Sequence, residues 1–302
     1  MEFKVRIRMK KVTLFFAGCL LFSIAGARDV NESLDAAGKG HVTIFNLAGS
    51  VNVVGWSRKV VEVTGSLGDD VEEFVFDRDG DEIKIKVKVP ERHWGRSDIT
   101  SELMIHVPQG SSIEIATISA DIEAEGVQGE QELQSVSGEI ATQSFATEIV
   151  AESVSGDIKV QGDGKNTEAE LVSVSGDITA ENLGGSIVAE SVSGDVVVAG
   201  GSFDRAQVET VSGEITYKAA LRKDGRLHVE SINGRVNIDF VGDVSARFEI
   251  DTFNGNIDNC FGPQAKKTSR YAPGLELNFT EGAGEGRVVI STFNGDLTIC
   301  KN

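Results

Sequence analysis

Cysteine, proline, histidine and the sugar-stacking aromatics are all scarce in this chain of 302 residues, which has 3 Cys, 4 Pro, 4 His, 2 Trp and 2 Tyr. So few cysteines exclude a disulfide-framework mini-domain. The histidines His41, His93, His106 and His228 show no HExxH spacing, and no zinc-ligand pattern emerges. Gly-x-Ser-x-Gly is also absent, so no nucleophile elbow is encoded. Basic charge is short: 29 Lys and Arg face 47 Asp and Glu, a net charge of −18. Nucleic acid is excluded as the main partner, because phosphate binding needs a clustered basic surface. No long apolar run follows the first thirty residues, so no transmembrane segment is expected in the mature chain.

The one apolar run, VTLFFAGCLLFSIAGA, follows Lys4, Arg6, Arg8, Lys10 and Lys11 and ends in Ala25-Gly26-Ala27. This is the pattern of a secretory signal peptide over residues 1–27, cleaved after Ala27, and the protein is expected to be exported to the periplasm or secreted. Met9 opens a second, more typical signal and is an alternative start. Cys19 lies in FAGC, but only five apolar residues separate it from Lys11, so lipoprotein processing ranks below simple cleavage. Cleavage leaves 24 bases against 46 acids, a net charge of −22.

What the chain has in abundance is glycine, 34 residues, much of it in a repeat. SVSGEI, SVSGDI, SVSGDI, SVSGDV, TVSGEI, SINGRV, TFNGNI and TFNGDL align on Gly138, Gly156, Gly176, Gly194, Gly213, Gly234, Gly255 and Gly295. Successive spacings are 18, 20, 18, 19, 21, 21 and 40; Ala120 extends the series, and Gly49 starts it near the mature N-terminus. Apolar residues stand five before the glycine (Leu133 to Ile290), two before it (Val136, Val154, Val174, Val192, Val211, Ile232, Phe253, Phe293) and two after it (Ile140 to Leu297). Period-two alternation on both sides implies two short strands joined at a corner, with all three rows facing inward and the glycine supplying a positive φ.

A unit of about 19 residues cannot bury its apolar row alone, so the units must stack, strand on equivalent strand, about 4.8 Å apart. The expected fold is all-β: a β-solenoid, a parallel β-helix right-handed by the general preference of parallel crossovers. Residues 28–115 would hold the first rung and an irregular β cap, with strands in KVVEVTG, VEEFVFDR, EIKIKVKV and SELMIHV. Residues 116–302 would hold the repeats, with 261–274 an exposed loop in the last of them and EGAGEG turning the chain into the final copy. Cys260 and Cys300 each lie five residues after their repeat's glycine. If 261–274 loops out, these repeats are neighbours and the two cysteines are at disulfide distance.

The SVSGDI repeats, the IHVPQG segment and the closing STFNGDLTI resemble a bacterial family of unknown function, the putative-adhesin or β-strand-repeat proteins, over residues 40 to 301. The resemblance implies a β-solenoid linked to the cell envelope and little about activity. No translocator barrel or wall-anchoring tail is expected after Asn302.

Acids recur after the glycine as Asp121, Glu139, Asp157, Asp177, Asp195 and Glu214, and Arg235 ends the line. Such a strip reads first as a solvated edge, with calcium or a basic partner as the alternatives. Sugar cleavage needs a singular pair of carboxylates, which a repeated line does not supply. Only Trp56, Trp94, Tyr217 and Tyr271 could stack on sugar rings, and HWGRSD (93–98) is the one segment of non-repeating charge and aromaticity. DRDGDE (77–82) reads as an Asp-Gly turn between strands, not a calcium loop. The sequence therefore points to a non-enzymatic binding or scaffold module of the bacterial envelope, without cofactor, whose partner is an envelope protein or polymer. The alternatives are a polysaccharide-active β-helix enzyme and a calcium-stabilised structural repeat.

Overall fold

A computed structural model describes residues 28–90, 98–145, 147–269 and 273–302. The signal segment, Tyr271 and all of HWGRSD but Asp98 lie outside them. The described residues are all-β, without a helix, and their strands join into one long mixed sheet wound as a solenoid-like stack. No helix among them is long and apolar enough to cross a membrane.

Each repeat supplies two strands, such as Glu148–Ser153 and Ile158–Gly162, with the glycine corner between them. Equivalent strands pair in parallel: Ile140 opposite Ile158, Ile158 opposite Ile178, Ile178 opposite Val196, and Val196 opposite Ile215. The rows five before and two after the glycine are buried and form the core. Small side chains such as Ala151, Ala169 and Ala189 fill its middle, whereas Phe203, Tyr217, Phe240 and Phe248 form a ladder of tilted and edge-to-face rings toward one end, with centroids 5.9–6.1 Å apart.

The row two before the glycine faces outward, against expectation. Val136, Val154, Val174, Val192, Val211, Ile232, Phe253 and Phe293 are 38–52% exposed, and Ile118 joins them at 48%. The inward place belongs to the hydroxyl residue just before it. Ser135, Ser153, Ser173, Ser191, Thr210, Ser231, Thr252 and Thr292 are buried, extending the inner row one step further than hydrophobicity alone suggests. The polarity of most of them is used: Ser135, Ser153 and Ser173 accept the N–H of Gly138, Gly156 and Gly176 at 2.8–2.9 Å, and Ser191, Thr210 and Thr252 donate to glycine carbonyls, while the Ser231 and Thr292 hydroxyls have no partner among the described residues. Val then turns out because the chain changes direction between the two residues.

The reason for the glycines also differs from the expected one. Gly138, Gly156, Gly176, Gly194, Gly213, Gly255 and Gly295 have no positive φ, and Gly234, at 159°, is at the limit of extended backbone. What excludes a side chain is the neighbouring rung. A Cβ on Gly194 would stand 2.1 Å from the Gly176 carbonyl oxygen, and each glycine of the eight meets the same obstacle at 1.8–2.1 Å. These contacts run along the stack from the Ala120 oxygen onto Gly138 up to the Gly234 oxygen onto Gly295 and the Gly295 oxygen onto Gly255.

Spatial order therefore departs from chain order. Val236 pairs with Leu297, and Leu297 on its other side with Ile257, so the repeat latest in sequence lies between the two before it. Gly49 is likewise interior: His41–Trp56 pairs with Ser112–Glu125 on one side and with Glu82–Lys88 and Ser101–Pro108 on the other. Antiparallel strands close both ends, Val60–Leu67 on Ser101–Pro108 and Leu275–Glu281 on Ala246–Asn254. Segment 261–274 is not wholly loop, since Lys266–Lys267 pairs with Leu275–Glu281. Cys260 and Cys300 are bonded, with Cα atoms 4.9 Å apart.

Two outcomes test this packing. Gly194→Ala is expected to cost on the order of 3 kcal/mol, the upper range for overpacking, while Ser193→Ala, exposed beside it, costs under about 0.5; similar thermal midpoints for both would contradict the carbonyl contact. Cys260→Ala is expected to cost about 4 kcal/mol in the chain-entropy estimate for the 40-residue separation. Chemical denaturation of the oxidised protein, with and without reductant, measures it.

Candidate functional site

The exposed apolar row is continuous. In spatial order it runs Ile118, Val136, Val154, Val174, Val192, Val211, Ile232, Phe293, Phe253, one side chain per rung, because equivalent residues of paired rungs stand side by side. Parallel register through the corner maintains it: the N–H groups of Ser155, Ser175 and Ser193 donate to the carbonyls of Val136, Val154 and Val174 at 2.9–3.0 Å. The row ends in Phe293 stacked on Phe253, with centroids 4.9 Å apart and planes 3° from parallel. At about 4.8 Å per rung the ridge is roughly 38 Å long. Contiguous exposed apolar surface of this extent is unusual on a monomer and marks contact sites.

Acids flank the ridge on both sides. Two residues before five of the nine ridge positions stand Glu152, Glu190, Glu209, Glu230 and Asp251, and three after the first six of them stand Asp121, Glu139, Asp157, Asp177, Asp195 and Glu214. A groove runs between ridge and first row, lined by Val174, Glu190, Val192, Glu209, Val211 and Glu230 among others. Asp251 has its carboxyl raised above the usual range, by burial first and by Glu230 second. Glu209, Glu230 and His228 bring three ligand atoms within 4.8 Å of one another, the described group that could hold a metal ion. It is an open, acid-rich surface cluster, and nothing else there points to an ion.

The second acidic row has a structural task that its exposure conceals. The carboxylates of Asp121, Asp157, Asp177 and Asp195 accept the backbone N–H of Glu139, Asp177, Asp195 and Glu214 on the next rung at 2.7–3.0 Å. Asp296 does the same for Asn256, following the spatial order. The glutamates are too long for that bond. Glu139 instead pairs with Lys159 at 2.5 Å, holding that ammonium above the usual lysine range, and Glu214 accepts from Asn237 at 2.6 Å. The choice of Asp over Glu was the sequence signal for this ladder.

Of the four residues that could stack on sugars, the two among the described residues are both engaged. Tyr217 is buried, its phenol pushed up by desolvation, and Trp56 is covered by His106 at 4.8 Å and by Arg58 at 4.2 Å.

Asp177→Ala is expected to lower stability by about 1 kcal/mol through the lost N–H acceptor, and Asp177→Asn, which keeps an acceptor oxygen, by less than half of that. Thermal denaturation of the two variants makes the comparison. Millimolar calcium, against sodium at matched ionic strength, is expected to leave the midpoint of the native chain unchanged.

No curated protein matches the chain. Among solved structures, a putative adhesin from Bacteroides fragilis is 12% identical, covers 92% of this chain and 99% of its own, and has a TM-score of 0.48. Another from Parabacteroides distasonis is 11% identical over 91% of this chain and 98% of its own, with a TM-score of 0.42. The Toastrack DUF4097 family matches residues 60–300, nearly the whole of the rung stack described above. On that match the chain belongs to the Toastrack DUF4097 family, a family of unknown function.

Proposed function

We propose that this protein is a non-enzymatic, exported β-solenoid, right-handed in its winding, that works as a binding or scaffold module of the bacterial cell envelope. The observation that carries the reading is the ridge from Ile118 to Phe253, an apolar line held in the open by a backbone whose hydrogen bonds are satisfied from rung to rung. A side chain needed only for folding would be buried; an exposed apolar row gains its free energy when something covers it. The signal pattern of residues 1–27 supports export, and the Cys260–Cys300 bond suits an oxidising compartment. The elements of residues 28–115 act in this reading as first rung and cap, and the glycine column as the spacer that keeps the ridge in register.

The polysaccharide-active alternative has one observation in its favour, the raised carboxyl of Asp251, which faces Glu276 across an antiparallel pair. That carboxyl is only partly covered, and among the described residues the aromatic rings on its own and the paired strands are already engaged, Phe279 by Phe248 at 4.5 Å and Phe253 by Phe293 at 4.9 Å.

A photo-cross-linking residue at Val192, in the 302-residue chain expressed in a bacterial host, is expected to yield a discrete adduct in the envelope fraction. The same residue at Gln161, exposed on the other strand of its rung, is expected to yield none. Equal adducts from both positions, or none from either, would overturn the reading.

A further inference from the structure

The ridge and its acidic flanks together specify what can cover it. Resting on the binding-module reading above, we infer that the occupant is a basic amphipathic α-helix of a protein partner, its apolar stripe laid along the ridge and its Lys or Arg residues reaching the carboxylates on either side.

Charge selects among the possible occupants. A second copy of this chain would bring Glu190, Glu209 and Glu230 against equivalent acids, in a protein already at −18. An anionic lipid surface meets the same repulsion, and a plane does not fit a single file of side chains. A cationic segment gains on both flanks. The acids on the groove side are free to serve it: Glu152, Glu190 and Glu209 are engaged by the neutral amides of Gln134 and Gln207, and Glu209 and Glu230 by the weak base His228 at 3.8 Å. On the other flank the aspartates use one oxygen each for the backbone N–H described above, and Asp177 and Asp195 are exposed all the same.

Pitch selects the conformation. Ridge side chains recur about every 4.8 Å along the stack. A helix presents its stripe once per turn, about every 5.4 Å, whereas one face of an extended strand recurs at about 6.8 Å. The helical repeat drifts by about 0.6 Å per rung and stays in step over two or three rungs, whereas the strand repeat drifts by about 2 Å and falls out of step after one. At about 1.5 Å per residue, a ridge of roughly 38 Å seats at most about 25 residues. The groove beside Val174, Val192 and Val211 is the place for the larger side chains of the stripe.

The test uses the purified full chain and three labelled 20-residue peptides. One is an amphipathic helix with a leucine stripe flanked by lysines, the second has glutamates in place of the lysines, and the third is a scramble of the first. Fluorescence anisotropy is expected to show binding of the first alone, weakening at least 10-fold between 50 and 500 mM salt, with helical ellipticity gained on binding. Val174→Ser with Val192→Ser, and separately Glu190→Gln with Glu209→Gln, are expected to weaken it at least 10-fold each while the thermal midpoint stays near that of the native chain. Because all four residues are exposed or half-exposed, neither pair is needed for folding. Equal binding of the lysine and glutamate peptides, undiminished binding by the Val174→Ser, Val192→Ser variant, or saturation by the scramble overturns the inference. So does self-association in sedimentation, or capture on anionic vesicles, that the same substitutions abolish. A cross-linked adduct at Val192 whose partner proves neutral or acidic would leave the binding module standing and remove only the basic helix.

Discussion

Where a Cβ would stand on each corner glycine, a carbonyl oxygen of the adjacent rung already lies about 2 Å away. That contact sets how closely the rungs approach at the corner, and the rest of the stack follows from it. With the corners close, parallel hydrogen bonds such as those from Ser155, Ser175 and Ser193 continue through the turn and do not stop at the strand ends. The serine hydroxyl three residues earlier can then fold under the glycine N–H, and the aspartate after it can reach the next rung's amide. Three side-chain choices, Ser, Gly and Asp, are thus one device for holding a bend in register.

The same device leaves valine outside. Because serine occupies the last inward place, the β-branched residue that follows must face solvent, and repetition turns a single exposed valine, which would be unremarkable, into a line. The isolated residue is a by-product of the bend; the line is a surface. Acids on both flanks keep that surface soluble and oppose pairing between copies, the usual service of charge beside exposed apolar groups.

Much of this was legible in the sequence, and the failures have physical causes. The rows five before and two after the glycine could be placed because alternation within a strand has only one inside. Val154 and its equivalents could not, since hydrophobicity says which residues prefer burial but not whether a corner grants it; the recurrence of Ser153, Ser173 and Ser191 at a fixed offset was the counter-signal. The glycines were recognisable as special, but a sterically excluded Cβ and a positive φ demand the same residue, so the cause was not recoverable from Gly194 alone. The spacing of 40 residues between Gly255 and Gly295 fits either order of the last rungs, because Ile250 and Ile290 are equivalent at every offset. Pairing of Leu275–Glu281 with Ala246–Asn254 closes the outer edge of the earlier repeat, leaving the later one the place between. The Asp ladder was faint for a different reason: an exposed carboxylate and one that accepts a peptide N–H are written with the same letter, and only the preference for Asp over Glu at 121, 157, 177 and 195 separates them.

The tucked repeats at both ends have a consequence for how such a protein can change length. His41–Trp56 and the pair Gly286–Asn294 and Leu297–Lys301 are each held on two sides by partners drawn from distant parts of the chain, so neither end can gain or lose a repeat without rebuilding its closure. Between Gly138 and Gly213, by contrast, every strand pairs only with the rungs before and after it in sequence, and apart from the reach of Arg222 to Asn166 one more SVSGDI unit could be spliced in without rebuilding a pairing. Gene duplication would therefore act on this molecule as on a telescoping rod with fixed end-pieces. Its reach would lengthen in steps of about 4.8 Å, each adding one exposed valine and one aspartate to a surface whose chemistry stays the same.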